Sequence, residues 1–270
     1  MRKGYADSVY GQVHYRELGE GPAVLLLHQT ASSGAMWERF QPLLAQRGFR
    51  TLAVDTPGFG LSDRPPEQPG IAGYARSLIG FLDSLGIEKA HVVGCRTGSS
   101  IAVDAVARAP ERFDRVVLLT MLAVVDDAER QSWRDRNLGA PYGLDGKGEF
   151  LDSRVKPWVQ YFAAEDDGDA YLRELVATLQ AGPLYGYGYF SVAEHDPWPL
   201  FPTITHPALV LNPLHDSQYE STGRVAAALP NATYVELPAT TETRREPGFL
   251  QVPDRCPDLL ARQIGDFLSG

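Results

Sequence analysis

The sequence predicts an α/β protein built on a mostly parallel central sheet with helices on both faces. Three observations lead there. Short apolar runs recur along the chain, helical patterns alternate with them, and one long aromatic-rich stretch interrupts the rhythm. The runs are continuous rather than alternating, as strands covered on both faces must be.

Taken in order, an opening strand near Val13–Glu17 (VHYRE) alternates apolar and polar residues and fits an edge hairpin. Ala23–His28 (AVLLLH) and Arg50–Asp55 (RTLAVD) are buried strands. A helix is expected over Ala72–Leu85, a strand over Ala90–Gly94 (AHVVG), a helix over Thr97–Arg108 and a strand over Arg115–Thr120 (RVVLLT). Ala208–Asn212 (ALVLN) and Thr233–Leu237 (TYVEL) continue the sheet, with helices over Tyr219–Ala228 and Pro257–Leu268. Parallel neighbours require right-handed crossovers. The rhythm breaks over residues 123–201, which read as a helical cap insertion, leaving a discontinuous core of 1–122 and 202–270.

With 270 residues the chain is long enough for one large domain carrying an insertion. A formal net charge of −9 argues against nucleic acid or an anionic membrane as partner. The two cysteines, Cys95 and Cys256, make neither a disulfide framework nor a metal cluster, so a reducing cytoplasm is the expected setting. The first residues lack an apolar signal core, and the apolar runs are too short to span a bilayer. Phosphate loop, dinucleotide glycine pattern and ligand cluster are all missing, so no cofactor and no metal is expected. The expected partner is a small, anionic substrate; a homodimer is compatible with the composition.

Five segments, in the same order, resemble the α/β-hydrolase superfamily: AVLLLHQTASSGAMWERF, TLAVDTPGFGLSDRPP, VVGCRTGSS with the helix and strand after it, HPALVLNPLHDSQY and ATYVELPA. The resemblance implies an α/β-hydrolase fold with a helical cap. It also implies a nucleophile elbow at the third segment, a triad acid in the fourth and a triad histidine after the fifth.

The elbow is where the sequence departs. Gly94 and Gly98 have the spacing of G-x-S-x-G, but the middle residue is Arg96. A guanidinium stays protonated at any working pH and has no lone pair to attack a carbonyl, which excludes a serine-type acyl-enzyme at this position. Cys95 beside it reads as a small buried thiol, with shifted use as nucleophile or pocket lining as the alternative.

The triad histidine is missing as well. Direct counting after Leu237-Pro238 puts Glu242 at its place, an insertion puts Pro247 there, and no histidine follows His215. Asp216 matches the triad acid; it is left to pair with Arg96, to orient the neighbourhood of His215, or to cap the helix near Tyr219.

The resemblance further implies that the backbone N–H groups of Thr30 and Thr97 converge on one oxygen, with Gln29 adding an amide. Together with Arg96 and a helix N-terminus they form an anion site. Internal neutralisation of Arg96 by Asp216 or Glu242 is the competing reading. His28, His195 and His215 are the candidate replacement bases, since imidazole is poised near neutral pH. Trp37, Trp133, Trp158 and Tyr187 are candidate substrate-lining aromatics, Tyr187 within the alternating LYGYGYFSV.

These residues lead to three functional expectations. The first is a non-hydrolytic enzyme that holds a carboxylate or enolate at Arg96 and runs a lyase-, decarboxylase-, isomerase- or cyclase-type reaction. The second is a hydrolase using His- or Glu-activated water. The third is a catalytically silent binding or scaffold protein.

Overall fold

A computed structural model describes residues 1–138, 147–149, 151–152, 168–214, 216–238 and 252–270. Its frame is a single eight-stranded sheet: β1 (Arg2–Ser8), β2 (Gly11–Leu18), β3 (Ala23–Leu27), β4 (Arg50–Val54), β5 (Ala90–Cys95), β6 (Phe113–Leu119), β7 (Ala208–Pro213) and β8 (Ala232–Leu237). Their spatial order is β1-β2-β4-β3-β5-β6-β7-β8. β1, β2 and β4 pair antiparallel, and every later pair is parallel. The expected fold class is therefore present.

β1 was invisible to the apolar pattern, because RKGYADS is an edge strand with one buried residue. It pairs with β2 through a tight turn in which Gly11 takes φ +94°. β8 also departs from a continuous buried run: it is the other edge, and most of its residues reach solvent.

The continuous runs are explained at β3. All five of its residues are buried, with Val24 and Leu26 in the core on one face of the sheet and Leu25 and Leu27 in the core on the other. Fully burying each large aliphatic side chain contributes about 1.5–3 kcal/mol, so alternation would leave stability unclaimed on one face.

Helices cover both faces: α1 (Gln41–Ala45), α2 (Gly70–Ser84), α3 (Thr97–Arg108), α4 (Asp127–Leu138), α5 (Gly168–Ala181), α6 (Tyr185–Glu194), α7 (Tyr219–Ala228), α8 (Val252–Arg255) and α9 (Pro257–Ser269). The segment α4–α6 lies between β6 and β7 in the chain, and α6 packs on α2, α3 and α4. Among the described residues no helix is long and apolar enough to cross a membrane.

The DTPGFGLSD stretch owes its form to one buried carboxylate. Asp55 accepts from the backbone N–H of Gly34 at 2.6 Å and of Leu61 at 2.9 Å, and meets His14 Nδ1 at 2.8 Å. A Cβ at Gly60 would lie 2.1 Å from Asp55 Oδ2, which is why a glycine stands there. Burial works to raise the Asp55 pKa, but hydrogen bonds from His14 and Leu61 outweigh it and hold the carboxyl below its ordinary value. Asp55 thereby ties the loop after β4 to the loop after β3.

Candidate functional site

The site is assembled at the carboxyl ends of the parallel strands, the place where open α/β sheets expose loops to ligands. β5 runs into Arg96, which takes φ 52° and ψ −107°, and α3 starts at the next residue. Such a conformation costs a non-glycine residue about 1–3 kcal/mol and persists only where the surroundings impose it. Here they do. A Cβ at Gly94 would sit 2.4 Å from the Gly98 carbonyl oxygen, and one at Gly98 would sit 2.4 Å from the Leu27 carbonyl oxygen. Ser99 Oγ lies 2.8 Å from the carbonyl oxygens of both Gly94 and Thr120, and Arg96 N–H donates to Leu119 at 3.1 Å. The sharp strand–helix turn is intact with an arginine at its apex.

Arg96 Nη2 donates to Asp216 Oδ2 at 2.5 Å. The aspartate side chain is 1% exposed and the arginine side chain 12%. Asp216 follows β7, which is separated from β5 only by β6, so the sheet order brings together residues 120 positions apart. Of the three roles expected for Asp216, pairing with Arg96 is the contact observed. Its Oδ1 also accepts from Gln218 N–H at 2.8 Å, closing the turn before α7.

His28 is not placed as a base. Its Nδ1 donates to the Gln29 carbonyl at 2.8 Å, so Nε2 is the acceptor, and the Thr56 N–H donates to it at 3.0 Å. Burial pushes its pKa down, against the Gln29 hydrogen bond. Both ring nitrogens hold the loop, and the expected catalytic role is corrected to a structural one. His195 is corrected likewise. Its Nε2 meets Asp104 Oδ2 at 3.3 Å, and Asp104 sits two turns along α3, about 10 Å from the elbow by helix rise.

The loop after β3 meets the elbow through Thr30, whose hydroxyl donates to the Thr97 hydroxyl at 2.9 Å. Gln29 and Thr30 are buried in that loop and Thr97 is buried at the start of α3. Helix α6 presses on the same loop. Tyr189 Oη donates to the Thr30 carbonyl at 3.2 Å, and a Cβ at Gly188 would lie 1.9 Å from Thr30 Oγ1.

Cys95 points into the core on the opposite face from Val92, beside Val93 and Leu119. Burial pushes its thiol up to about 12; Arg96 opposes that, and Asp216 and Glu174 add to it. A thiolate nucleophile is thus unavailable, and pocket lining is excluded by the direction of the side chain. Trp37 is corrected too: fully buried, its ring lies 5.4 Å from that of Phe40 in the core. Trp133 is buried with its ring 5.9 Å from Tyr189, and Tyr187 is half-buried on α6. Glu242, His215 and Trp158 lie outside the described residues.

Glu174 is a site residue that no sequence motif marks. This carboxylate on α5 is 3% exposed, and Ser32 Oγ donates to its Oε1 at 2.7 Å. Beside Arg173 it resembles an ordinary solvated charge. Its register was the available signal, because Ala170, Ala177, Thr178 and Ala181 share its buried face.

Sheet order and the strand–turn–helix elbow together define a class of protein, and the comparison with known families agrees. The family model for the alpha/beta hydrolase fold matches residues 22–158, just over half of the chain. The chain belongs to the α/β-hydrolase family. It is 36% identical over 112 residues to a 2-hydroxy-6-oxo-6-phenylhexa-2,4-dienoate hydrolase of Comamonas testosteroni, a match covering 40% of this chain and 39% of that one. It is also 36% identical over 110 residues to bifunctional epoxide hydrolase 2 of Sus scrofa, covering 40% of this chain and 20% of that one. The matched part is thus about two fifths or less of these relatives' length.

Solved structures match over the whole chain at lower identity. A hydrolase from Pseudomonas aeruginosa PA01 aligns with a TM-score of 0.82 at 20% identity, covering 100% of this chain and 99% of that one. The enol-lactonase from Burkholderia xenovorans LB400 aligns at 0.78 and 24%, covering 99% and 100%. At these identities the likeness is one of fold.

Proposed function

We propose that this protein is a hydrolase for a small carbonyl compound carrying a carboxylate or enolate, and that it activates water directly instead of forming an acyl-enzyme. The single observation that carries the proposal is Arg96 at the apex of an intact elbow, paired with Asp216. A guanidinium there binds negative charge and cannot attack. The names of the curated relatives support hydrolysis over a non-hydrolytic reaction, and one names a dienoate, a carboxylate with a ketone in the same chain.

In this reading Arg96, oriented by Asp216, holds the substrate's anionic group. The N–H groups of Thr30 and Thr97 stabilise the oxyanion that forms when water adds to the carbonyl carbon. The water's proton passes to a base, and the leaving group takes a proton as the tetrahedral intermediate collapses. With His28 and His195 engaged elsewhere, the base falls to His215 or Glu242, His215 being next to Asp216 in the chain. Helices α5 and α6, within the expected insertion of residues 123–201, act as the cap over the site.

The test is a panel of p-nitrophenyl esters, lactones and oxo-dienoates, run in water enriched in oxygen-18. Label entering the product supports hydrolysis, and loss of turnover in Arg96→Ala ties it to the elbow. Turnover without label would favour the second reading, a lyase- or isomerase-type conversion, to which the same cationic apex is suited. Failure of the whole panel would favour a silent binding protein in which Asp216 neutralises Arg96.

A further inference from the structure

The loop that carries Thr30 is held from outside the sheet. Ser32 N–H donates to the Gln29 carbonyl at 2.9 Å, closing a tight turn over Gln29–Ser32. The position of Ser32 therefore sets the plane of the peptide groups between them. Ser32 is itself anchored by Glu174, 142 residues away on α5, and the Thr30 carbonyl by Tyr189 on α6. Both helices lie between β6 and β7, so one inserted segment holds a short turn at two points, Thr30 and Ser32.

We propose that Glu174 is a positioning residue for the hydrolysis suggested above: acting through Ser32, it fixes the loop whose Thr30 N–H receives the developing oxyanion. This deepens that functional reading and rests on it. Three facts support it. The Ser32–Glu174 hydrogen bond is short, and one to a carboxylate is roughly twice as strong as one between neutral groups. Both residues are buried, Ser32 completely, and a carboxylate is kept in such a place only where its interactions offset the desolvation. Glu174 also lies within electrostatic reach of the elbow, since its charge, like that of Asp216 and against that of Arg96, raises the pKa of the Cys95 thiol. The segment holding α5 and α6 thereby completes the site as well as covering it, and seating it and ordering the loop become one event.

The experiment compares Glu174→Ala, Glu174→Gln and Ser32→Ala by amide hydrogen exchange and by steady-state kinetics. Exchange is read on the peptide spanning 28–36, with β6 as internal reference, and needs no substrate. Glu174→Ala should speed loop exchange at least about tenfold, the factor expected from losing a buried hydrogen bond to a charged acceptor, and leave β6 unchanged. It should lower kcat by a similar factor with KM within about twofold. Glu174→Gln keeps a neutral acceptor for Ser32 and should restore most of both readouts. Ser32→Ala should reproduce Glu174→Ala, and the double variant should be no worse than either.

Unchanged loop exchange in both Glu174→Ala and Ser32→Ala overturns the proposal. So does a kcat loss that Gln fails to rescue, accompanied by loss of the acid limb of the pH profile, because Glu174 would then carry the proton itself. If the wild-type protein turns over none of the panel, the hydrolase reading fails while the exchange data still decide the positioning role. If Glu174→Ala does not fold, Glu174→Gln and Ser32→Ala supply the comparison.

Discussion

Arg96 Nη2 and Asp216 Oδ2 stand 2.5 Å apart at the ends of two strands that do not touch, joining the apex of the elbow to the position of a triad acid. In the function proposed above, this pair stands where the family resemblance places a serine and its acid. It follows that removing one partner is worse than removing both. Arg96→Ala leaves Asp216, whose side chain is 1% exposed, without the guanidinium and should cost about 3–5 kcal/mol, and Asp216→Asn should cost less, because Arg96 is the more exposed partner. Arg96→Met combined with Asp216→Leu should recover most of that loss. Urea denaturation of the three variants checks the order.

Restoring a serine at the apex should not restore acyl-enzyme chemistry. Arg96→Ser meets the backbone requirement, since Gly94 and Gly98 already provide the close contacts. It still lacks a histidine after β8 to take the hydroxyl proton. Stopped-flow mixing with p-nitrophenyl acetate should show no burst, and intact-mass spectra should show no acetylated protein.

The Cys95 thiol should be inert in the folded state. Burial raises its pKa to about 12, so the thiolate is scarce at pH 8. Ellman's reagent should label Cys95 only as fast as the protein unfolds, and Cys95→Ala should leave turnover within about twofold of wild type.

Stability should fall on the acid side of neutrality because of His28. Its folded pKa lies below the 6.5 of an unperturbed imidazole, so in that window the unfolded chain binds a proton that the native site excludes. The contribution is intact above about pH 6.5 and is lost as the pH falls below it. His91, also lowered by burial, adds to the slope. Asp55 and Asp104 act further down: held below the ordinary carboxylate range, they stabilise above it, and that is lost as the pH falls through their folded values. His28→Gln should give a lower but flatter stability curve between pH 6.5 and 5, measured by chemical denaturation.

Much of this was legible in the residues alone, for physical reasons that differ from place to place. β3 and β5 were readable because strands buried on both faces must be apolar throughout. β1 was not, because an edge strand exposed to water carries no such constraint. At the site, the glycine spacing around Arg96 was readable because backbone crowding leaves no other residue room. Asp216 was readable as a position, but its partner was fixed only by the order of β5, β6 and β7. His28 and His195 looked like bases because a histidine's letter says nothing of what its nitrogens touch. Glu174 stayed hidden because a charged residue on a helix is usually solvated, and only the small residues sharing its face mark it as buried.

In the proposed function, Arg96 turns a nucleophile elbow into an anion site. Calorimetric titration with benzoate, comparing wild type with Arg96→Lys and Arg96→Met, tests it most directly. Wild type should bind, Lys should weaken binding by losing the planar fork, and Met should reduce it by at least about tenfold. Equal benzoate affinity in all three proteins would contradict it.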